Sequence, residues 1–269
     1  MNKILLIGCG HMGNALLESW INLQKYQITV IDPIKYKQLK QKYKNKKINI
    51  FKKILFLNKS EKFKFIIIAT RPVELVNVLK ELEYISVDKK TTMISVIAGK
   101  KIQILQKKFK AIKNFFRIMP NMPASIGESM NCIVANKNAN KKIIYEVNKL
   151  FSYSGKTIFL KNENQIDMAT AISGSGPGFI FNLIDAMENG AIKLGIRKDI
   201  SKTLILQTFK GSINLMLNNK VSSKTLVQKV STKGGTTEAG LKIMTKYKIH
   251  KMFVELMKAS YNKAKQQGK

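Results

Sequence analysis

With 269 residues and 45% hydrophobic content, the chain can bury one large core or two modest ones. No apolar run reaches the roughly eighteen residues of a membrane span, and the apolar run after Met1-Asn-Lys is too short for a signal peptide. A formal charge of +32 suggests nucleic acid, yet apart from Arg71, Arg117 and Arg197 the cations are lysines scattered along the whole chain. Sequence-specific readers of DNA concentrate arginine, so the charge reads as a bias of solvated faces with weak, salt-sensitive attraction to polyanions. Cys9 and Cys132 are too few and too distant for a disulfide framework, which points to a reducing cytoplasm. His11 and His250 have no metal-ligand spacing with either cysteine, so no metal is expected.

Lys3–Gly8 is a continuous apolar run, the pattern of a strand buried on both faces of a parallel sheet. It leads into Gly8-Cys-Gly-His-Met-Gly13, after which Ala15, Leu16, Leu17, Trp20 and Leu23 recur at helical spacing. Strand, G-x-G-x-x-G and helix form the dinucleotide fingerprint in its proper setting. Gly8 makes the turn, Gly10 lets backbone approach a pyrophosphate, and Gly13 lets helix pack on strand. The next strand, Gln27–Asp32, ends in an acid where a carboxylate meets an adenosine ribose. Asp32 taken alone favours NAD; Lys35 and Lys37 follow closely enough to neutralise an NADP 2′-phosphate, so the cofactor is NADPH or NADH. The lysine-rich residues 35–64 read as an exposed helix, a short strand at Ile48–Phe51 and a polar loop.

Lys64–Thr70 is another buried strand, ended by Arg71-Pro72, with proline placed to open a helix. Thr91–Gly99 repeats the pattern. Ligands of open α/β sheets lie beyond the carboxyl ends of strands, where Thr70, Arg71, Pro72, Ala98 and Gly99 fall. Phe116–Pro123, a strand at Asn131–Ala135, a helix near 140–151 and a strand at Lys156–Leu160 close this half. Beyond residue 161 the strand pattern stops. Helices are expected over Ile166–Ile172, Phe179–Leu194, Asp199–Leu217, Ser223–Val230, Ala239–Met244 and Ile249–Ala264, with Ser173–Gly178 between the first two. Helices this apolar suggest a face buried against a second subunit. The expected fold is α/β: a Rossmann-type doubly wound sheet over 1–161, then an all-helical dimerisation and substrate domain over 162–269.

Val230–Gly240 holds Gly234-Gly235-Thr236-Thr237 immediately before a helical pattern. Orphan amides and the positive end of a helix dipole make such a junction an anion site, for a phosphate or a carboxylate. Read without a ligand, it is a glycine turn capped by Thr236 or Thr237.

Together, Ile7–Gly13, Arg71-Pro72, Ser95–Gly99, Arg117–Ala124, Ile172–Pro177 and Val230–Gly240 resemble, in order and over nearly the whole chain, the pyrroline-5-carboxylate reductases of proline biosynthesis. The Met-Pro-Asn, Ser-Gly-Ser-Gly-Pro and Gly-Gly-Thr-Thr motifs are the specific ones. The resemblance implies reduction of a cyclic imine to proline by NADPH or NADH, in a homodimer whose interface completes the active site, some members forming decamers. It implies that Gly8, Cys9, Gly10, His11, Met12, Gly13, Asp32, Thr70, Arg71, Pro72, Ala98 and Gly99 face the dinucleotide, with Asn121 and Pro123 at its nicotinamide end. Glu163, Gly234, Gly235, Thr236 and Thr237 would contact substrate. Within that frame, the carboxylate is expected on the amides of Gly235 and Thr236, with the Thr237 hydroxyl as a further donor. Ser173 and Ser175 would floor the imine site, and Thr170 would hydrogen-bond at the nicotinamide end or to the ring nitrogen, making Thr237 and Thr170 the groups nearest the chemistry.

Departures from the family pattern are Arg71 for a usual lysine, Lys233 for a common proline, Gly178-Phe179 for Ala-Tyr, and Met122 for a frequent threonine. None removes a group that the chemistry requires. A β-hydroxyacid-type dehydrogenase would carry a catalytic lysine in its helical half, in a glycine and asparagine context absent here. A non-catalytic nucleic-acid binder is the reading that the charge alone would favour.

Overall fold

The computed structural model describes residues 2–219 and 221–267; residues 1, 220, 268 and 269, which fall inside the two expected domains, lie outside them. The chain divides into two compact units, Met1–Pro177 with Ser260–Lys269, and Gly178–Ala259. In the first, strands β1 (Asn2–Ile7), β2 (Tyr26–Ile31), β3 (Ile48–Phe51), β4 (Phe65–Ile68), β5 (Thr92–Ser95), β6 (Asn114–Met119), β7 (Ser129–Ala135) and β8 (Gly155–Phe159) form one sheet. Its order is β3-β2-β1-β4-β5-β6-β7-β8. All neighbours are parallel except β6 and β7. The helices of this unit are α1 (His11–Trp20), α2 (Tyr36–Lys42), α3 (Leu75–Glu81), α4 (Ile102–Lys108), α5 (Lys141–Ser152) and α6 (Glu163–Ala169).

Strand periodicity explains the two layers. On β1, Ile4 and Leu6 enter one buried cluster while Leu5 and Ile7 enter the other. Ile67 and Ile66 on β4 divide in the same way. One face is covered by Leu16, Leu17 and Trp20 of α1 and by Val147, Leu150 and Phe151 of α5. The other is covered by Leu75 and Leu79 of α3, Ile102 and Leu105 of α4, and Ile166 of α6. A strand that must satisfy both clusters has no polar face to offer, which is why these segments read as unbroken apolar runs.

The expected doubly wound sheet is present. It also contains β6, a strand absent from the sequence expectation; its Phe-Phe-Arg-Ile pattern includes a buried arginine, which masks the apolar run. Arg117 is 1% exposed and is held by Asp167 of α6 at 2.6 Å. A lone buried arginine would be prohibitive, and the partner acid comes from fifty residues away in sequence. Helix α6, Asn162-capped through the Gln165 amide, thus packs on the sheet with Ile166 fully buried.

The second unit is helical: α7 (Gly176–Lys193), α8 (Lys198–Asn219), α9 (Ser223–Val230), α10 (Thr236–Lys246) and α11 (Ile249–Gln267), the outer two helices extending into the first unit's residue ranges. The segment Ile166–Ile172, expected as one helix, is α6 followed by a π-helical turn, Thr170–Gly174. Helix α7 begins inside the Ser-Gly-Ser-Gly-Pro motif rather than after it. Among the described residues no helix is long and apolar enough to cross a membrane.

Trp20 tests the packing of α1 on α5. It is fully buried, its indole Nε1 donates to the Leu150 carbonyl at 2.9 Å, and its ring meets Phe151 edge-on at 5.5 Å. Trp20→Phe leaves that carbonyl unpaired and opens a void. It should cost about 1–3 kcal/mol in urea unfolding followed by circular dichroism. A change under about 0.5 kcal/mol would show that α1 does not depend on this contact.

Candidate active site

The strand order reverses between β1 and β4, the place where open α/β sheets leave a crevice at their carboxyl edge. Three bonds carry the ladder past the strand ends: the Gly8 amide donates to Ile31 O at 2.8 Å, Ala69 N to Ile7 O at 2.7 Å and Val96 N to Ile68 O at 3.0 Å. Gly8 adopts φ +89°, and a Cβ there would lie 2.7 Å from Ala69 O. At Gly13, the third residue of α1, a Cβ would lie 2.1 Å from Gly8 O. Backbone touches backbone at both positions, so helix α1 seats directly on the turn. Gly10, the residue before α1, has nothing within 4 Å of where its Cβ would be. That open space stands before the first amides of a ten-residue helix, which have no partners within it.

Asp32, directly after β2, is 7% exposed, and its carboxylate accepts three backbone donors: Cys9 N at 2.7 Å, Ile34 N at 2.9 Å and Lys35 N at 2.7 Å. It joins the glycine loop to the turn after β2. A cavity of about 250 Å³ opens beside it, lined by Gly8, Asp32, Pro33, Ile34, Lys52, Lys53, Thr70 and Glu74 among others. The Thr70 hydroxyl is buried there without a hydrogen-bond partner. An orphaned donor, a glycine turn shaped for close approach and an open helix start together fit a dinucleotide. Lys35 and Lys37, the expected phosphate neighbours, do not line this cavity; Lys52 and Lys53 do. The carboxyl-edge rule points to that pair, but their signal is submerged in a lysine-rich stretch.

The remaining expected cofactor residues lie on the same edge, with differing exposure. Gly99 is buried at φ +74°, Ala98 is half-buried, and Pro72 opens a 3₁₀ turn, Pro72–Glu74. Arg71 is exposed and forked onto Glu74 at 2.6 Å. His11 is an exposed first residue of α1, and Met12 is half-buried. Cys9 is fully buried; burial first, and the Asp32 charge second, push its thiol up to about 12. It therefore stays protonated and is no nucleophile.

Asn121 is 9% exposed and belongs to a local network. Its Nδ2 donates to Ser173 O at 2.9 Å, its Oδ1 accepts from Met130 N at 2.9 Å, and its own amide donates to Ser129 Oγ at 3.1 Å. It thereby ties the turn between β6 and β7, where Pro123 is half-buried, to the π-helical turn. A π turn inserts a residue into a helix, a device concentrated at functional sites. Within it the Thr170 hydroxyl donates to Ile166 O at 2.8 Å and the Ser173 hydroxyl to Ala169 O at 3.0 Å. Both hydroxyls keep acceptor lone pairs. Ser175 is half-buried, with its amide on Thr170 O.

Glu163 is otherwise occupied than expected. Its Oε1 accepts from Ile102 N at 2.9 Å and stands 3.6 Å from Arg117. This acid helps neutralise the buried guanidinium and anchors α4, a role invisible without the tertiary contacts.

In the second unit, the residues expected at the carboxylate site sit in the turn before α10. Gly234 takes φ +77°, and its amide is capped by the Glu238 carboxylate at 2.8 Å. The Gly235 amide donates to Thr232 O at 3.0 Å, which corrects its expected role as an anion donor. The amides of Thr236 and Thr237, the first two residues of α10, remain as the free first-turn donors. Among the described residues neither threonine hydroxyl has a hydrogen-bond partner.

Known proteins resemble this chain along its whole length. Residues 163–267 match the family described as "Pyrroline-5-carboxylate reductase dimerisation", and residues 3–99 match "NADP oxidoreductase coenzyme F420-dependent". A pyrroline-5-carboxylate reductase of Synechocystis sp. is 32% identical over 177 residues, 66% of each chain. One from Aquifex aeolicus is 27% identical over 98% of this chain and 96% of its own. The crystal structure of Plasmodium falciparum pyrroline carboxylate reductase with NADP bound superposes with a TM-score of 0.86 at 26% identity, covering 100% of this chain and 98% of that one.

Two glycines separate packing from binding. Gly13→Ala should destabilise the protein by about 3 kcal/mol or more, because its methyl meets Gly8 O. Gly10→Ala should unfold within about 0.5 kcal/mol of wild type while its affinity for a nicotinamide dinucleotide falls about tenfold or more. Chemical unfolding paired with calorimetric titration checks both, and undiminished binding by Gly10→Ala would remove the dinucleotide from this crevice.

Proposed function

The chain belongs to the pyrroline-5-carboxylate reductase family, and we propose that it reduces 1-pyrroline-5-carboxylate to L-proline with NADPH or NADH, the last step of proline biosynthesis. The observation that carries this reading is the coexistence, in one chain, of the Gly8–Gly13 crevice with its unpartnered Thr70 hydroxyl and a free-donor turn at Thr236-Thr237.

When bound, the reduced nicotinamide supplies a hydride. The chain's own residues hold and orient. Gly8, Gly10 and Gly13 admit the dinucleotide, and the start of α1 faces its pyrophosphate. Arg71, Pro72, Ala98 and Gly99 border it along the strand ends, and Asn121 with Pro123 serves the nicotinamide end. The substrate is a cyclic imine with a carboxylate, and its nitrogen is protonated readily in water. Such an imine is already electrophilic, so rate depends on orientation and exclusion of water more than on a strong side-chain acid. Among the substrate residues only Glu163 is ionisable, and it is paired with Arg117. The substrate carboxylate takes the amides of Thr236 and Thr237 and the Thr237 hydroxyl, which suits a charge-assisted bond at a helix start. Ser173 and Ser175 floor the imine site, and Thr170 offers an oxygen toward the imine nitrogen or the nicotinamide.

The division of labour proposed is residues 1–161 for the cofactor and 162–269 for dimerisation and substrate, whereas the compact units divide after Pro177 and return Ser260–Lys269 to the first, because α6 and the π-helical turn pack on the sheet. The working form is a homodimer. The helical unit leaves Phe181 53%, Leu194 85%, Leu204 56%, Ile213 50% and Leu217 61% exposed, more apolar surface than a lone soluble chain leaves uncovered. Cys9 and Cys132 are buried and unpaired, in keeping with a reducing cytoplasm. The lysine charge is solvated or laid on rings, as with Lys25 over Tyr26 and Tyr153, and calls for no nucleic-acid partner.

Purified protein mixed with pyrroline-5-carboxylate should oxidise reduced nicotinamide, read by absorbance. Thr237→Ala should lower kcat/KM about ten- to a hundredfold with the fold intact. Full activity in that variant would dismiss the carboxylate site, and no oxidation by folded wild type would dismiss the reaction. Light scattering should return twice the chain mass or, for a decamer, ten times it. Leu204→Glu should shift the particle toward single chains, and an unchanged mass would clear this face of a role.

A further inference from the structure

We propose that Lys52 and Lys53, on the loop leaving β3, grip the 2′-phosphate of the adenosine ribose and make NADPH the preferred coenzyme, with Asp32 as a brace rather than a ribose reader. The inference rests on the dinucleotide reading above and adds the residues that choose between its two forms. An acid at the end of the second strand selects NAD by accepting both ribose hydroxyls, which requires two free acceptor positions. A carboxylate has about four such positions, and Asp32 has given three of them to Cys9 N, Ile34 N and Lys35 N. At 7% exposure it shows little surface to a ligand. Freeing it would orphan the Cys9 amide inside the glycine loop that the pyrophosphate needs.

The anionic reader is therefore withdrawn, and the adjoining cavity presents cations instead. Lys52 and Lys53 line it together with Asp32, Pro33 and Ile34, both are exposed, and among the described residues neither forms an ion pair. Two acids also line the cavity. Glu74 is already paired with Arg71, and Glu81 belongs to the last turn of α3, on a different element from the lysines. Ile34, 77% exposed at the rim, offers an apolar face for the adenine ring. A lysine ammonium is a mobile point charge, suited to a phosphate on a flexible ribose. Because the grip lies on the β3 loop, it is separate from the turn after β2 that carries Lys35 and Lys37.

Calorimetric titration of the full chain with NADP⁺, NAD⁺, 2′-AMP and 5′-AMP tests this without turnover. Wild type should bind NADP⁺ about tenfold or more tightly than NAD⁺, and 2′-AMP more tightly than 5′-AMP, with the preference shrinking as salt rises. The double variant Lys52→Ala, Lys53→Ala should lose most of that margin while NAD⁺ affinity stays within about twofold. Equal or tighter NAD⁺ binding by wild type overturns the proposal, as does a variant that weakens both dinucleotides alike or leaves the margin intact. Binding of neither dinucleotide by folded wild type would instead overturn the dinucleotide reading beneath it.

Discussion

The carboxylate of Asp32 is the point on which the functional edge of the sheet depends. β1 and β2 are buried on both faces and must leave the sheet through turns whose amides have lost their ladder partners. Two of those turns lie side by side, and one side chain serves both by accepting from Cys9, Ile34 and Lys35. These bonds are charge-assisted, and the buried one from Cys9 contributes roughly 1.5–3 kcal/mol where a neutral one contributes about 1, the two part-buried ones less. The glycine loop is thus braced in its turn by a buried bond, and a braced loop binds with less of the entropic cost of being ordered.

Around that brace, backbone-to-backbone contact sets the geometry. Helix α1 can seat on the loop only because Gly13 brings no side chain against Gly8 O, and the same closeness leaves the space above Gly10 open. Packing and binding are two results of one turn. The far half of the sheet is held by buried polar groups. Asn131 is fully buried, and its amide reaches Phe151 O, Ser154 Oγ and Lys156 O, binding β7 to the end of α5, the turn after it and β8. Asn121 does similar work where β6 reverses into β7, and Arg117 joins β6 to α6. Removing one member of such a network leaves the others unsatisfied in a low-dielectric setting, so the cost exceeds the bond lost.

The parallel core is legible because strands covered on both sides are mostly apolar: β4 is so at every position, and β1, β2 and β5 interrupt the run only with Asn2, Lys3, Gln27 and a few small hydroxyl residues. The glycine fingerprint was legible because it is contiguous, and the helix at Lys141–Ser152 because a capping asparagine precedes an amphipathic repeat. β6 is not legible in the same way, because its buried charge is neutralised by an acid distant in sequence. Helix α10 starts before its apolar pattern does, since its first two residues are threonines, which read as cap or loop. The π-helical turn has no sequence period of its own, and the Asn121 bond to Ser173 O that accompanies it comes from a residue distant in sequence.

The sequence by itself determined the class of fold, the position of the glycine turn, the order of the specific motifs and, through them, the family. Those are properties of local periodicity and of contiguous residues, which the chain carries wherever it goes. The tertiary structure alone decided what each polar side chain is free to do. Asp32 is spent on three amides, Glu163 on Ile102 and Arg117, and the Gly235 amide on Thr232, while the Thr70 hydroxyl and the two lysines after β3 are left available. Hydrogen-bonding capacity is finite and is allotted by neighbours in space, so a residue's type announces its chemistry but only the fold reveals whether that chemistry is still unclaimed.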